Sequence, residues 1–139
     1  MKWSVYTVFI LAMILASSQS GAVELTVEQQ VDQIREACAG DGDFAAAIAG
    51  CLEQKDHEIG QELEQIYKRL VKELPRLDVT TLRETQRAWL KYQDQICRAR
   101  ERRNRMEGPS FARSALASCS IETTLHRINE LRLLRGDIR

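Results

Sequence analysis

Apolar residues recur at steps of three and four along most of the chain, which is the spacing of one helix face. One stripe occupies residues 51–74 and ends before Pro75, a residue that stops helices. A second follows a capping-box sequence at residues 81–84 and continues to residue 99. Folding at Pro75 predicts an antiparallel hairpin of two long helices packed stripe to stripe. The stripe positions are Leu52, Ile59, Leu63, Ile66, Leu70 and Leu74, then Leu82, Thr85, Trp89, Tyr92, Ile96 and Ala99.

Two shorter helices are predicted before this hairpin. Thr26 and Gln29 have the spacing of a capping box, in which each side chain satisfies a free backbone N–H of the first turn. The second short helix covers residues 44–49, and Gly50 is expected to close it.

The last helix is predicted to follow the break at Gly108, with Ser110 as its cap, Phe111 turned inward and Gly136 as its stop. The chain has only seven Gly and two Pro, too few for the many turns of a sandwich or barrel. The expected fold is a small, disulfide-bridged, all-α bundle of about four helices.

The first 22 residues are typical of a secretory signal peptide. Lys2 precedes an apolar run at residues 5–16, and small residues follow as far as Ala22. The run is shorter than the roughly twenty apolar residues that a membrane span requires. Residues 23–139 are therefore expected to form one exported domain, periplasmic or secreted, with no membrane span after cleavage.

Four cysteines, Cys38, Cys51, Cys97 and Cys119, follow this leader. An even number in a small exported domain predicts two disulfides, and no CxxC or HxxxH spacing indicates zinc. Pairing Cys38 with Cys51 and Cys97 with Cys119 closes two short loops and is slightly favoured. Pairing Cys51 with Cys97 and Cys38 with Cys119 is equally allowed by the hairpin register.

Charge is balanced overall, with 20 Lys and Arg against 20 Asp and Glu, but it is uneven along the chain. Residues 23–95 hold 9 basic and 15 acidic groups, a net of −6, and residues 96–139 hold 10 and 5, a net of +5. The acidic early helices are expected to lie against the basic late helix. The arginine run at residues 98–105 fits a structural role near a helix C-terminus. The alternative is a contact surface for an anionic partner, such as a lipid head group, a cell-wall polymer or the acidic cleft of another protein, and no nucleic-acid partner is expected.

No catalytic constellation is visible in the sequence. It contains no GxSxG, no Gly-rich phosphate loop, no metal-ligand cluster, and no cysteine outside the expected bridges. The chain is predicted not to be an enzyme and to use neither a cofactor nor a metal.

The stretch LRETQRAWLKYQDQIC at residues 82–97 closely resembles the central block of the LprI-like lysozyme-inhibitor family of small exported bacterial proteins. The rest of residues 23–139 agrees with the family pattern in the order and spacing of its motifs, which include the paired early cysteines, the Gly/Ser-rich break and the ending after Cys119. The resemblance implies a protein that binds and inhibits lysozyme without chemistry of its own. The motif residues that it assigns to the structural core are Leu63, Tyr67, Gln86, Trp89, Tyr92 and Arg127.

Three positions depart from the family pattern. Gly60 stands where the family usually has Asp, Glu64 where it has Asn, and Gln93 where it has Arg. A polar link between the two long helices is therefore expected to be missing or replaced.

An inhibitor of lysozyme must fill a cleft that contains two catalytic carboxylates, and a donor-rich loop suits that task. The break at residues 104–110 is the candidate, with Asn104 and Arg105 as donors, Ser110 as a further contact and Gly108 helping to fix its shape.

Two other functions fit the same sequence. One is an immunity or envelope-stress protein that binds another toxin or cell-wall enzyme. The other is a carrier of a small apolar ligand, which predicts a cavity between the helices. Its expected lining is Ile59, Leu63, Trp89 and Tyr92.

Overall fold

A computed structural model describes residues 24–40 and 44–136, and within them it is all-helical. The predicted signal peptide at residues 1–22 and the Asp-Gly-Asp break at residues 41–43 lie outside the described residues. The expected all-α bundle with two disulfides is confirmed. Its helices are α1 (Val27–Ala39), α2 (Ala45–Glu73), α3 (Arg76–Asn104) and α4 (Pro109–Arg135), with a 3-10 turn at Arg105–Glu107.

Helix α4 is the centre of the bundle, because it packs against α1, α2 and α3, whereas α2 and α3 contact each other only slightly. The stripes of the two hairpin helices do share one apolar cluster, which includes Leu70 and Leu82, but α4 contributes to this cluster, so the stripes meet mainly through α4 and only slightly with each other. A helix that is apolar or small on most sides belongs in the interior, and the sequence of α4 has this character. Its buried positions are Ala112, Ala117, Ser118, Cys119, Ile121, Thr124, Leu125, Arg127, Ile128 and Leu131.

Two apolar clusters share this central helix. The first joins α1 to α2 and α4 and includes Val31, Leu52 and Ile121. The second joins α3 to α2 and α4 and includes Leu70 and Leu82. Helices α1 and α3 thus cover different parts of the α2–α4 pair, and each buries its apolar face against both of its members.

Three predicted helix boundaries, at Gly50, Thr81 and Ser110, are wrong. Gly50 does not close a short helix but lies inside α2. Thr81 does not cap α3, which already begins at Arg76 after Pro75; the Thr81 hydroxyl donates instead to the carbonyl of Leu77 at 3.3 Å. A proline whose φ is fixed near the helical value can precede a helix directly, and this explains the earlier start.

Capping residues and glycines set the start of α1 and both ends of α4. The capping box of Thr26 and Gln29 is confirmed, with the two backbone N–H to side-chain distances at 2.9 and 3.3 Å. Ser110 is not the cap of α4, because Gly108 holds that position and Pro109 is the first helical residue. Gly136 ends α4 with φ 76°, the left-handed conformation that glycine adopts readily.

Both disulfides follow the neighbour pairing. Cys38 is bonded to Cys51, which fastens the end of α1 to the start of α2, and Cys97 is bonded to Cys119, which fastens α3 to α4. No described cysteine is free. Both bridges lie toward the same end of the bundle, where α1 and α3 end and α2 and α4 begin.

The expected attraction between the acidic early helices and the basic late helix is present as ion pairs between α2 and α4. Arg113 donates from Nε to Glu53 at 2.7 Å, and this hydrogen bond lowers the pKa of the Glu53 carboxyl. Two further pairs lie along the same helix–helix contact and join Glu62 to Arg132 and Glu73 to Arg135. These pairs are partly exposed, so they fix the register of the two helices more than they stabilise the fold.

Gly50 and Gly60 are the two helical glycines of α2, and no heavy atom lies within 4 Å of a Cβ built on either. We expect Gly50→Ala and Gly60→Ala each to raise the free energy of unfolding by up to about 1 kcal/mol, since alanine lowers the entropy lost on helix formation. Urea unfolding followed by circular dichroism measures the change. A loss of stability in Gly60→Ala alone would contradict the open space beside Gly60.

Candidate functional site

The predicted contact segment at residues 104–110 is a tight, regular turn and not an open loop. Asn104 is the last residue of α3, and its Nδ2 donates to the carbonyl of Arg100 at 2.8 Å. The backbone N–H of Gly108 donates to the carbonyl of Arg105 at 3.2 Å. The backbone of Gly108 has φ 120°, a conformation that residues with a side chain rarely adopt, so glycine is required there. Ser110 is half-buried in the first turn of α4.

The tip of this turn is apolar. Met106, in the middle of the 3-10 turn, is 95% exposed, and Phe111 in the next helical turn is 49% exposed instead of facing inward as predicted. Phe44 is 78% exposed where α2 begins, at the same end of the bundle. Sequence reasoning missed Met106, although a methionine between charged residues and a Gly-Pro pair was the available signal. Exposed Met and aromatic side chains are enriched at protein interfaces.

A pocket of about 540 Å³ opens beside the turn, and three arginines line it. We call it the arginine pocket and define it by Arg35 from α1 and by Arg100 and Arg103 from α3. Asn104 and Phe111 also line it, so the predicted donor Asn104 and the exposed Phe111 belong to one surface. The arginine pocket was not predicted, because the contribution of α1 depends on the tertiary fold.

The three arginines differ in how their charges are balanced. Arg100 Nη1 donates to Glu122 at 2.6 Å, and this pair raises the pKa of Arg100. Arg35 faces Asp32 at 3.4 Å on the exposed side of α1. Arg103 forms no hydrogen bond or ion pair with another described residue. The pocket therefore keeps a positive charge that is free to meet an anionic group.

Arg105, the other predicted donor, is exposed and pairs with Glu101 one helical turn earlier at 3.2 Å. Surface pairs of this kind contribute about 0.3–0.5 kcal/mol. A partner carboxylate can therefore replace Glu101 at low cost.

The family-motif residues lie away from this end, in the contact between α3 and α4. Arg127 is 9% exposed; its Nε donates to Gln86 Oε1 at 3.0 Å, and Nη2 to Thr85 at 3.3 Å. Its remaining nitrogen pairs with Glu130 at 2.8 Å. A nearly buried guanidinium needs such partners to offset desolvation. Leu63 is buried, and Tyr67 and Trp89 are half-buried around the second apolar cluster.

Tyr92 is a wrong core prediction, because it is 57% exposed. The face of α3 that meets α4 carries Gln93 and Cys97, and Tyr92 precedes Gln93 by one residue, about 100° around the helix. The heptad pattern had placed the contact on Tyr92 and Ile96.

Gln93 replaces the polar link that the family pattern would have supplied. Its Nε2 lies 2.8 Å from Thr124 Oγ1, 3.0 Å from Thr123 Oγ1 and 3.3 Å from the carbonyl of Ser120. An amide nitrogen carries two hydrogens and can engage two of these acceptors at a time. The link therefore joins α3 to α4, and not the two long helices of the predicted hairpin.

A second concave surface, the α2–α3 groove, lies on the flank of the bundle with a volume of about 480 Å³. We define it by Asp56 and Gly60 from α2 and by Trp89, Leu90 and Gln93 from α3. Leu63 and Trp89 line it as expected for a ligand cavity, but Ile59 and Tyr92 do not. Burial raises the pKa of the Asp56 carboxyl, and interactions with Ser120 and His57 offset part of the rise.

Within residues 24–40 and 44–136, no helix has the length and apolar character to cross a bilayer. The same residues contain no group of three His, Cys, Asp or Glu side chains arranged to hold a metal ion.

A comparison with protein families finds a match over most of the chain. The family described as "Lysozyme inhibitor LprI" matches residues 36–131, which include both disulfides, the arginine run, the turn and most of α4. No curated protein and no solved structure matches the chain.

Asp56 gives the fold a predicted pH dependence. Its raised pKa means that the folded state holds this proton to higher pH than the unfolded chain, so ionisation of Asp56 at neutral pH lowers stability. We expect Asp56→Asn to raise the melting temperature at pH 7, with the gain shrinking as the pH falls and vanishing below the ordinary aspartate pKa of about 3.9.

Glu53→Gln is the control, and it should change stability in the opposite direction, because Arg113 lowers the pKa of Glu53. It should lower the melting temperature at pH 7, and the loss should fade as the pH falls below the ordinary glutamate pKa of about 4.3. Equal melting temperatures of Asp56→Asn and the parent protein across this range would contradict the assignment.

Proposed function

The chain belongs to the lysozyme inhibitor LprI family, and from this premise we propose that it inhibits a cell-wall muramidase by covering the muramidase active-site cleft with the turn at residues 104–110. The observation that carries the proposal is the exposed apolar tip at Met106 beside a positively charged pocket. We infer inhibition by protein binding and no catalysis of its own.

The shape and charge of this end suit such a cleft. A muramidase cleft is concave and holds two carboxyl groups, of which at least one is ionised. A protruding turn with Met106 at its tip matches the concavity, and Arg103 and Arg105 flank the tip with positive charge. Asn104 lines the adjoining pocket and Ser110 follows the turn, which keeps both as proposed contacts.

Rigidity supports the same proposal. The Cys97–Cys119 bridge joins the two helices on either side of the turn, and Gly108 holds a backbone conformation that fixes the start of α4. A preformed surface loses little conformational entropy on binding, which favours affinity. The motif residues around Arg127 lie away from the turn and support it indirectly, because they hold α3 against α4.

We also propose that the protein acts after export, in the periplasm or outside the cell. Two disulfides support this location, because such bonds persist in oxidising compartments. Residues 1–22 remain the proposed signal peptide.

The test is a titration of the oxidised protein into a muramidase assay with several lysozymes. We expect inhibition near a stoichiometric ratio, and Met106→Glu or Arg103→Glu should each raise the inhibition constant about tenfold or more, because both remove contacts at the centre of the surface. Arg105→Glu should also weaken inhibition.

Matched controls lie at the opposite end of the bundle. Leu77 is 84% exposed, and Arg83 is exposed on the same helix; Leu77→Glu and Arg83→Glu should leave the inhibition constant unchanged. An inhibition constant that Met106→Glu and Arg103→Glu leave unchanged would show that the muramidase contacts a different surface, and it would contradict the proposed role of the turn. Tight binding to another cell-wall enzyme or toxin, with no effect on any lysozyme, would favour the immunity or envelope-stress function.

A further inference from the structure

We propose that the α2–α3 groove is a binding site for a small organic cation with an apolar stem, such as an alkylammonium or alkylguanidinium group. The site is separate from the turn at residues 104–110, and the inference does not depend on muramidase inhibition. Its parts are a carboxylate, an aromatic wall and an open space in one concave surface.

The carboxylate is Asp56, and it lacks a cationic partner. No Lys or Arg among the described residues forms an ion pair with Asp56; the Ser120 side chain hydrogen-bonds to its carboxyl, and His57 is nearby. The other acidic side chain of the groove, Glu64, is balanced by Lys68 at 2.7 Å. The groove therefore keeps one uncompensated negative charge at a half-buried position, which favours a cation over a neutral or anionic ligand.

The apolar wall comes from α3. Trp89 is half-buried and Leu90 is 51% exposed, and both line the groove opposite Asp56 and Gly60. The face of an indole attracts an organic cation, and an alkyl stem gains contact with Leu90. Gln93 also lines the groove, and its Oε1 accepts no hydrogen bond from a described residue, which leaves an acceptor for an N–H of the ligand.

Gly60 is the second, independent observation. It lies inside a long helix, where glycine weakens the helix, and neither its backbone conformation nor a close neighbour requires it. What the glycine provides is room, because any side chain there would project into open space lined by Trp89 and Asp56. Gly50 of the same helix also has open space beside it but does not line the groove, so the observation that counts is the room that Gly60 leaves inside the groove.

The probes are n-butylammonium and n-butylguanidinium, with butan-1-ol as the uncharged counterpart. Trp89 is the only tryptophan in residues 23–139, so the tryptophan fluorescence of the exported protein is the readout. We expect a saturable change with both cations at concentrations on the order of 1 mM, as small ligands of this size allow, and no saturable change with butan-1-ol.

Variants separate the site from general effects on the fold. Asp56→Asn should weaken cation binding about tenfold or more while leaving the protein folded, which is the loss expected when a partly desolvated charge pair and its hydrogen bond are removed. Gly60→Leu should abolish binding by filling the groove. Gly50→Leu is the matched control, since Gly50 lies in the same helix, has open space around it and does not line the groove.

No saturable response to either cation would overturn the proposal. An equal response to butan-1-ol would also overturn it and would indicate an apolar ligand carrier. Cation binding that Asp56→Asn or Gly60→Leu leaves unchanged would place the ligand outside the groove.

Discussion

The burial of α4 is the constraint on which the rest of the structure depends. It is the described helix that packs most extensively against the other three, and α2 and α3 are held together mainly through it. Because α1 and α3 cover it from different sides, most of its positions must be apolar or small, and its polar ones must find partners. Arg127 and Thr124 do so through Gln86 and Gln93 of α3. Within the motif block, Gln86, Gln93 and Cys97 are thus the residues that fasten α3 to the central helix.

The two disulfides concentrate rigidity at one end of this bundle. Each joins the end of one helix to another helix near the turn at residues 104–110, and the arginine pocket opens between the helices that they fasten. The opposite end has no described disulfide and is held by apolar packing around Leu70 and Leu131 and by the pair of Glu73 and Arg135. A fixed, cationic, apolar-tipped end is a suitable surface for a protein with carboxylates in a cleft. The α2–α3 groove lies on the flank, so a cation there and a protein at the turn need not compete.

Local signals predicted the parts of the fold that depend on neighbouring residues. The helical period, the capping box at Thr26, the stop at Gly136 and the preference for neighbouring disulfides are all local, and they agree with the structure. The attraction between acidic α2 and basic α4 followed from charge summed over long segments, which does not require a known register.

The errors in helix packing have one physical cause, which is that the apolar stripes of α2 and α3 fit either each other or a third helix. A third helix between them turned the contact face of α3 from Tyr92 to Gln93 and left Phe111 at the surface. The arginine pocket was invisible for the same reason, since Arg35 is far from Arg100 in sequence. Helix ends at Gly50 and Thr81 were misplaced because glycine and threonine are tolerated inside helices when the packing of a long helix outweighs their weak propensity. The start of α4 was misplaced because Gly108 and Pro109 begin the helix before Ser110.

The most direct test of the account is the methyl signal of Met106 in a protein labelled with ¹³C at its methionine methyl groups. The other two methionines, Met1 and Met13, lie in the proposed signal peptide, so Met106 is the only methionine in residues 23–139. On addition of an equimolar muramidase that the protein inhibits, we expect the Met106 resonance to shift and broaden, because its exposed side chain enters the cleft. An unchanged, narrow Met106 resonance while the muramidase is fully inhibited would contradict the proposed binding surface.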